Sequence, residues 1–324
     1  MQIHAVSICR LNAEQTERLE RRGRLIYYDA ELGDRTVGEK CRGADLLLIT
    51  PRICLDIVPF LDRCRLISVQ GTGTDAINVP AATTKGIAVS NVPAFSTEAV
   101  AEHALALLLA ATRRIRLGQE ILRSGKWRSG LAYEVSGLCG KSLGIFGFGK
   151  IGVRVSEIGR AFGMQIIATT EHPTPERAAR HGVTFVNFEN LLTQSDYIVL
   201  AAPVTPQTRQ IFRREQFSRM KSSAVLVNVS RGALVDEMAL ADALRDRVIS
   251  AAAQDVFQEE PPSPAHPLLS LSNFIATPHI AWATGEAVAQ VVDLSIRNIE
   301  AFLDGQPRNV VNSDALLRNA SVVP

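Results

Sequence analysis

Short apolar runs recur along the chain, with polar, helix-like stretches between them. Ala5–Cys9, Leu46–Ile49, Leu66–Val69 and Ala88–Ser90 each read as a short buried strand. Polar segments such as Ala13–Arg22 separate them. The rhythm restarts at Ser142. It predicts strands at Leu143–Phe146, Gln165–Ala168, Thr184–Val186, Tyr197–Leu200, Ala224–Val227, Ile249–Ala253 and Phe274–Ala276. Strand–helix alternation predicts parallel sheets, so the fold class is α/β with two such units. Between the two series, Ala99–Arg116 holds no Gly or Pro and reads as one long helix with Thr97 as its N-cap. A later helix, from Glu286 to Leu303, stops at Gly305 with Pro307 just beyond. No internal repeat interrupts this order.

Composition narrows the functional classes. A chain of 324 residues exceeds one typical core, which agrees with two domains. A net charge of +2 gives no reason to expect nucleic acid, and pairs such as Arg21-Arg22 read as solvated helix faces. The most apolar stretch, Ala99–Ala111, contains Glu102 and His103 and is too short to span a bilayer. The N-terminus shows no secretory signal pattern, so no membrane role is expected. The cysteines are Cys9, Cys41, Cys54, Cys64 and Cys139; their number is odd and none has CxxC spacing. They read as reduced thiols of a cytoplasmic protein, with no metal site.

The first chemical motif opens the second series. Leu143-Gly144-Ile145-Phe146 is an apolar strand; Gly147-Phe148-Gly149-Lys150-Ile151-Gly152 follows, and then a helical run, Val153–Ala161. GxGxxG placed between strand and helix is a dinucleotide fingerprint. Gly147 allows the tight turn, Gly149 lets a pyrophosphate approach the backbone, and Gly152 lets helix and strand pack closely. The amides at the helix start, those of Lys150 and Ile151 among them, then face the phosphates. The next strand, Gln165–Ala168, should be followed by a carboxylate that binds the adenosine ribose. Thr170 stands there instead, with Glu171 beside it. NAD is the expected cofactor, with Glu171 supplying the charge; the alternative is that the missing Asp admits NADP. In that case His172, Arg177 and Arg180 are candidates to hold a 2′-phosphate, although such residues more often lie on solvated surface.

Three later segments carry candidate chemistry: Val227-Asn228-Val229-Ser230-Arg231-Gly232, Asp255-Val256-Phe257-Gln258-Glu259-Glu260-Pro261-Pro262 and Thr277-Pro278-His279-Ile280-Ala281-Trp282-Ala283-Thr284. They lie at or just beyond the carboxyl ends of predicted strands, where open α/β sheets bind ligands. Taken singly, Arg231 reads as a surface ion-pair residue, Glu260 as a loop carboxylate and His279 as a packed imidazole.

Together with the glycine motif, these segments resemble the D-isomer-specific 2-hydroxyacid dehydrogenase family, in its glyoxylate or hydroxypyruvate reductase-like branch. The resemblance extends to Gly71-Thr72-Gly73-Thr74-Asp75, Asn91-Val92-Pro93 and Thr97-Glu98-Ala99-Val100-Ala101-Glu102. It implies that His279 is the acid/base, that Glu260 is its partner and that Arg231 binds the substrate. Glu259 competes with Glu260, but the following Pro261 aligns Glu260 with the family's Glu-Pro. The chemistry agrees. Hydride addition to a ketone builds negative charge on oxygen, which a proton donor and a fixed cation both stabilise. The resemblance also implies that amides of Thr72 and Gly73 hold the substrate carboxylate and that Asp255 contacts the nicotinamide amide. Pro203, Thr208 and Val229 would line the cofactor beside Arg231 and His279. Trp282 reads equally as a pocket wall or as core.

The implied architecture is two Rossmann-like, doubly wound parallel-sheet domains with a cleft between them. Residues 1–98 plus 285–324 would form the substrate domain and residues 99–284 the dinucleotide-binding domain, hinged near Thr97 and Thr284. A homodimer built around the Ala99–Arg116 helix is expected, acting on a small 2-keto or 2-hydroxy acid. The motifs offer no evident second cluster for a substrate phosphate, although Arg52, beside the strand end at Thr50, could reach the cleft. The alternative from another class is an NAD-sensing, co-repressor-like binding module of the same fold. Such modules are expected to carry partner-binding tails, for which little chain remains.

Overall fold

The computed structural model describes residues 1–29, 36–51, 56–127 and 135–320. Arg52 and Cys54 lie outside the described residues. The chain separates into two compact units, Met1–Phe95 with Thr284–Pro324, and Ser96–Ala283. No helix among the described residues is long and apolar enough to cross a membrane.

The first unit is built on a five-stranded sheet. Its strands are β1 (Gln2–Ser7), β2 (Arg24–Asp29), β3 (Leu46–Ile49), β4 (Leu66–Val69) and β5 (Ala88–Ser90), in the order β2-β1-β3-β4-β5. All pairings within it are parallel. β3, β4 and β5 are buried at every position, which is why they are legible as unbroken apolar runs. β1 starts three residues before the predicted Ala5 and stops at Ser7 rather than Cys9. There the Ser7 hydroxyl accepts from the Cys9 amide, and the chain turns out of the sheet. The Gly285–Leu303 helix packs back onto this unit. Its start is capped by Thr284, whose hydroxyl accepts from the Ala287 amide, and Ser68 of β4 donates to the Ser295 carbonyl at 2.9 Å. Beyond the helix, Val310 makes an antiparallel bridge to Ser90, and the Asn312 side chain accepts from the Val89 amide.

The second unit holds β6 (Ser142–Phe146), β7 (Gln165–Thr169), β8 (Thr184–Phe185), β9 (Tyr197–Leu200), β10 (Val225–Asn228), β11 (Ala251–Gln254) and β12 (Phe274–Ala276). Their order is β12-β11-β10-β9-β6-β7-β8, again all parallel. Strand order reverses at β6, so the carboxyl ends of β6 and β9 flank a topological switch point. Open sheets bind ligands there.

The long helix differs from its prediction. It begins at Thr97 with Ser96 at the cap position and runs to Thr112; a second helix covers Ile115–Arg123. Arg114 between them is left-handed, with φ of 51°. The buried stripe ends at Ala111 and Thr112, and the basic residues that follow have no core to face. The break therefore sits where burial stops rather than at a Gly or Pro.

Candidate active site

The fingerprint glycines occupy three different environments. Gly147 has φ of 97°, and a β-carbon there would meet the Ala202 backbone at 2.6 Å. Gly152 sits 2.3 Å, by the same measure, from the Gly147 carbonyl, so the Lys150–Ala161 helix packs hard against the turn. A β-carbon on Gly149 would meet nothing within 4 Å. Two glycines are thus needed by the fold, while the third faces open space at a helix N-terminus. That is the arrangement a pyrophosphate requires.

Among the described residues no carboxylate hydrogen-bonds to Thr170 at the end of β7. Thr170 is half-buried and Glu171 exposed. The Thr170 hydroxyl accepts from Arg177 Nη1 at 3.0 Å and from the His172 amide at 3.3 Å. Arg177 is therefore brought to the end of β7, whereas Arg180 and the His172 ring are exposed. Across the sheet, Pro203 and Thr208 close one loop after β9: Thr208 Oγ1 donates to the Pro203 carbonyl at 2.9 Å and accepts from the Thr205 amide at 2.7 Å. Val229, just after β10, is buried.

Arg231 follows β10 in extended conformation and caps the 3-10 turn Gly232–Leu234. A β-carbon on Gly232 would lie 2.0 Å from the Phe257 carbonyl carbon and 2.3 Å from the Gln258 nitrogen. Glycine thus lets the Arg231 loop touch the peptide that leads to Glu260. Gly232→Ala should cost about 1–3 kcal/mol through overpacking. It should also impair turnover more than other mutations of equal stability cost. Urea unfolding beside steady-state kinetics checks this.

Glu260 and His279 meet directly. Glu260 Oε2 lies 2.7 Å from His279 Nδ1, and Glu260 Oε1 accepts from the Phe257 amide at 2.9 Å. Both side chains are about a quarter exposed or less, at 20% and 27%. The loop before Glu260 is braced by Glu237, which accepts from the Gln258 amide at 2.8 Å and lies 3.2 Å from His266 Nε2. Burial pushes the Glu237 carboxyl above the ordinary range.

Asp255 has a structural task that the sequence did not disclose. It is 1% exposed. Its carboxylate accepts from the Thr277 hydroxyl at 2.6 Å and from the Ile280 and Ala281 amides at 2.9 and 2.8 Å, while its carbonyl accepts from the His279 amide at 2.8 Å. One buried acid thus holds the segment on both sides of His279, whose φ of 56° is left-handed. His103 Nε2 adds a contact to the Thr277 hydroxyl at 2.9 Å. Trp282 is half-buried and donates from Nε1 to the His279 carbonyl at 3.1 Å.

The sequence model described as the D-isomer specific 2-hydroxyacid dehydrogenase, NAD binding domain, matches residues 105–281, more than half of the chain. This chain belongs to that family. Glyoxylate reductase of Aeropyrum pernix is 40% identical over 309 residues, covering 90% of this chain and 91% of the relative. D-3-phosphoglycerate dehydrogenase of Methanocaldococcus jannaschii is 41% identical over 278 residues, which are 85% of this chain and 53% of the relative. The solved glyoxylate reductase of Paecilomyces thermophila superposes with a TM-score of 0.87 at 28% identity, covering 97% and 99% of the two chains. The chain is therefore an oxidoreductase of this dehydrogenase family, with a domain for a nicotinamide dinucleotide. The binding-module alternative has no support among these relatives.

The Gly71–Asp75 loop belongs to the first unit. Thr72 Oγ1 donates to the Val92 carbonyl at 2.9 Å, and the Thr72 carbonyl accepts from the Asn91 side chain at 2.7 Å. The amides of Thr72 and Gly73 donate to no acceptor among the described residues.

Proposed function

We propose that this enzyme reduces short 2-keto acids, glyoxylate and hydroxypyruvate foremost, to 2-hydroxy acids, forming the D-isomer wherever the product is chiral. The 2.7 Å contact between Glu260 and His279 Nδ1 carries the reading. When bound, the nicotinamide supplies the hydride. Glu260 holds Nδ1 and fixes the ring, so His279 Nε2 delivers the proton to the carbonyl oxygen. Arg231 pairs with the substrate carboxylate and offsets the charge that develops on oxygen. Gly147, Gly149, Lys150, Ile151 and Gly152 hold the pyrophosphate; Thr170 meets the ribose; Pro203, Thr208, Val229 and Asp255 line the rest of the cofactor beside Arg231 and His279. The undonated amides of Thr72 and Gly73 suit a carboxylate. On this reading Ser96–Ala283 is the cofactor unit and Met1–Phe95 with Thr284–Pro324 the substrate unit.

The relatives named glyoxylate reductase match this chain over nearly their whole length, whereas the phosphoglycerate dehydrogenase is about twice as long as the matched part. Glyoxylate and hydroxypyruvate should therefore be turned over better than 3-phosphohydroxypyruvate. A steady-state panel with NADH and NADPH, and chiral analysis of the product, checks this. Preference for the phosphorylated acid, or an L-product, overturns the reading.

We place the enzyme in the cytoplasm, where the Cys9, Cys64 and Cys139 thiols persist. We assign a homodimer, small-molecule substrates, and no membrane or nucleic-acid partner. The Thr97–Thr112 helix buries nine residues within its own unit. Large exposed apolar side chains lie just beyond it, Ile115, Leu122 and Trp127 at 59, 56 and 75% exposure. The dimer contact should centre there. Light scattering should give about twice the monomer mass, and Leu122→Glu with Trp127→Ser should halve it.

A further inference from the structure

We infer that Arg177 recognises a ribose 2′-phosphate and that this chain binds NADPH in preference to NADH. The inference deepens the dehydrogenase reading and rests on it.

The residue after β7 decides between the two cofactors by charge. A carboxylate there accepts the ribose hydroxyls and repels a 2′-phosphate. Thr170 can accept a hydrogen bond but carries no charge to repel a phosphate. In its place the structure puts a cation. Arg177 Nη1 donates to Thr170 Oγ1 at 3.0 Å and to the His172 carbonyl at 3.2 Å, and Nη2 donates to the Phe148 carbonyl. Phe148 is the residue between Gly147 and Gly149. The guanidinium therefore bridges the phosphate-binding turn and the end of β7, the two places the adenosine ribose must touch. It also packs beside the edge-to-face pair of Phe148 and Phe185, with its central carbon 5.4 Å from the Phe148 ring centre and 5.7 Å from that of Phe185. Aromatic rings and backbone carbonyls fix its position without neutralising it.

Its charge remains available. All its hydrogen-bond acceptors are neutral, and among the described residues no carboxylate pairs with it. Three of the five guanidinium N–H groups are engaged, leaving two for a further acceptor. Neighbouring Arg154 differs: Glu98 and Glu157 hold it at 2.6 and 2.8 Å. Arg177, Gly149 and Lys150 line one cavity of about 540 Å³. The open face of Gly149 and a preset, uncompensated guanidinium thus share a wall. A phosphate monoester is the group that matches such a fork.

The test is equilibrium titration of the full-length protein with NADPH and with NADH, followed by quenching of protein fluorescence, without substrate. Wild type should bind NADPH on the order of tenfold more tightly. Arg177→Gln should lose that margin, weakening NADPH about tenfold and NADH less than threefold. Thr170→Asp should invert the order, since the new carboxylate pairs with Arg177 and repels the phosphate; it tests the idea even where Arg177→Gln fails to fold. The inference is overturned if wild type binds NADH as tightly as NADPH. It is also overturned if Arg177→Gln weakens both cofactors equally, which marks a structural role, or if Thr170→Asp leaves the ratio unchanged. Binding of neither cofactor overturns the dehydrogenase reading itself, and the inference with it.

Discussion

His279→Ala lowers the reduction rate by about 10²–10⁴-fold while nicotinamide cofactor binding persists. The expectation follows from how the ring is held. Nδ1 meets Glu260 at 2.7 Å, so proton delivery falls to Nε2. Removing the imidazole removes the donor but leaves the glycine turn and the Thr170 region in place, because among the described residues the His279 side chain hydrogen-bonds to neither. Glu260→Gln separates the holding of the ring from its presence. The amide can still accept from Nδ1 but loses the charge of the carboxylate that grips both the ring and the Phe257 amide. Turnover should fall, with a smaller loss than in His279→Ala. Steady-state rates beside cofactor titrations check both variants. Near-normal turnover by a folded His279→Ala protein would falsify the mechanism.

Arg231→Ala should cost about 10²–10³-fold in kcat/KM, with both constants affected. The guanidinium is asked to bind the carboxylate in the ground state and to offset charge on the carbonyl oxygen in the transition state. Its placement depends on an extended backbone and on the glycine that follows. Arg231→Lys should recover only part of the loss, because an ammonium cannot pair bidentately with a planar carboxylate. Reduction of a 2-keto acid against an aldehyde lacking the carboxylate separates the two roles. If Arg231→Ala discriminates between them as wild type does, the arginine is not the carboxylate ligand.

Much of this was legible in sequence for identifiable reasons. Strands buried on both faces, such as Leu46–Ile49, Leu66–Val69 and Tyr197–Leu200, appear residue for residue as largely apolar runs. β2 escaped because Arg24–Asp29 is a sheet edge with no fully buried residue, so it mixes charge with tyrosines. The Glu260–His279 pair was accessible through motif resemblance, although 19 residues separate its members. Arg177 was one of three basic candidates in the sequence; only the fold back onto Phe148 selects it. The bracket formed by Asp255 was invisible for a different reason. Three of its four bonds go to backbone amides, and those carry no side-chain signature.

The discontinuity of the first unit bears on how the protein is made. Ser96–Ala283 is one unbroken stretch and can fold as soon as it leaves the ribosome. The first unit cannot. β4 waits for the helix that carries Ser295, and β5 waits for Val310 and Asn312. At ordinary elongation rates the nascent chain spends on the order of 10–40 seconds synthesising the intervening segment. Throughout that interval the apolar surface of β4 and the unpaired edge of β5 are exposed on a tethered, unfinished domain. Vectorial synthesis therefore makes this the segment most in need of a chaperone, and the part first lost to aggregation when translation stalls inside the second unit.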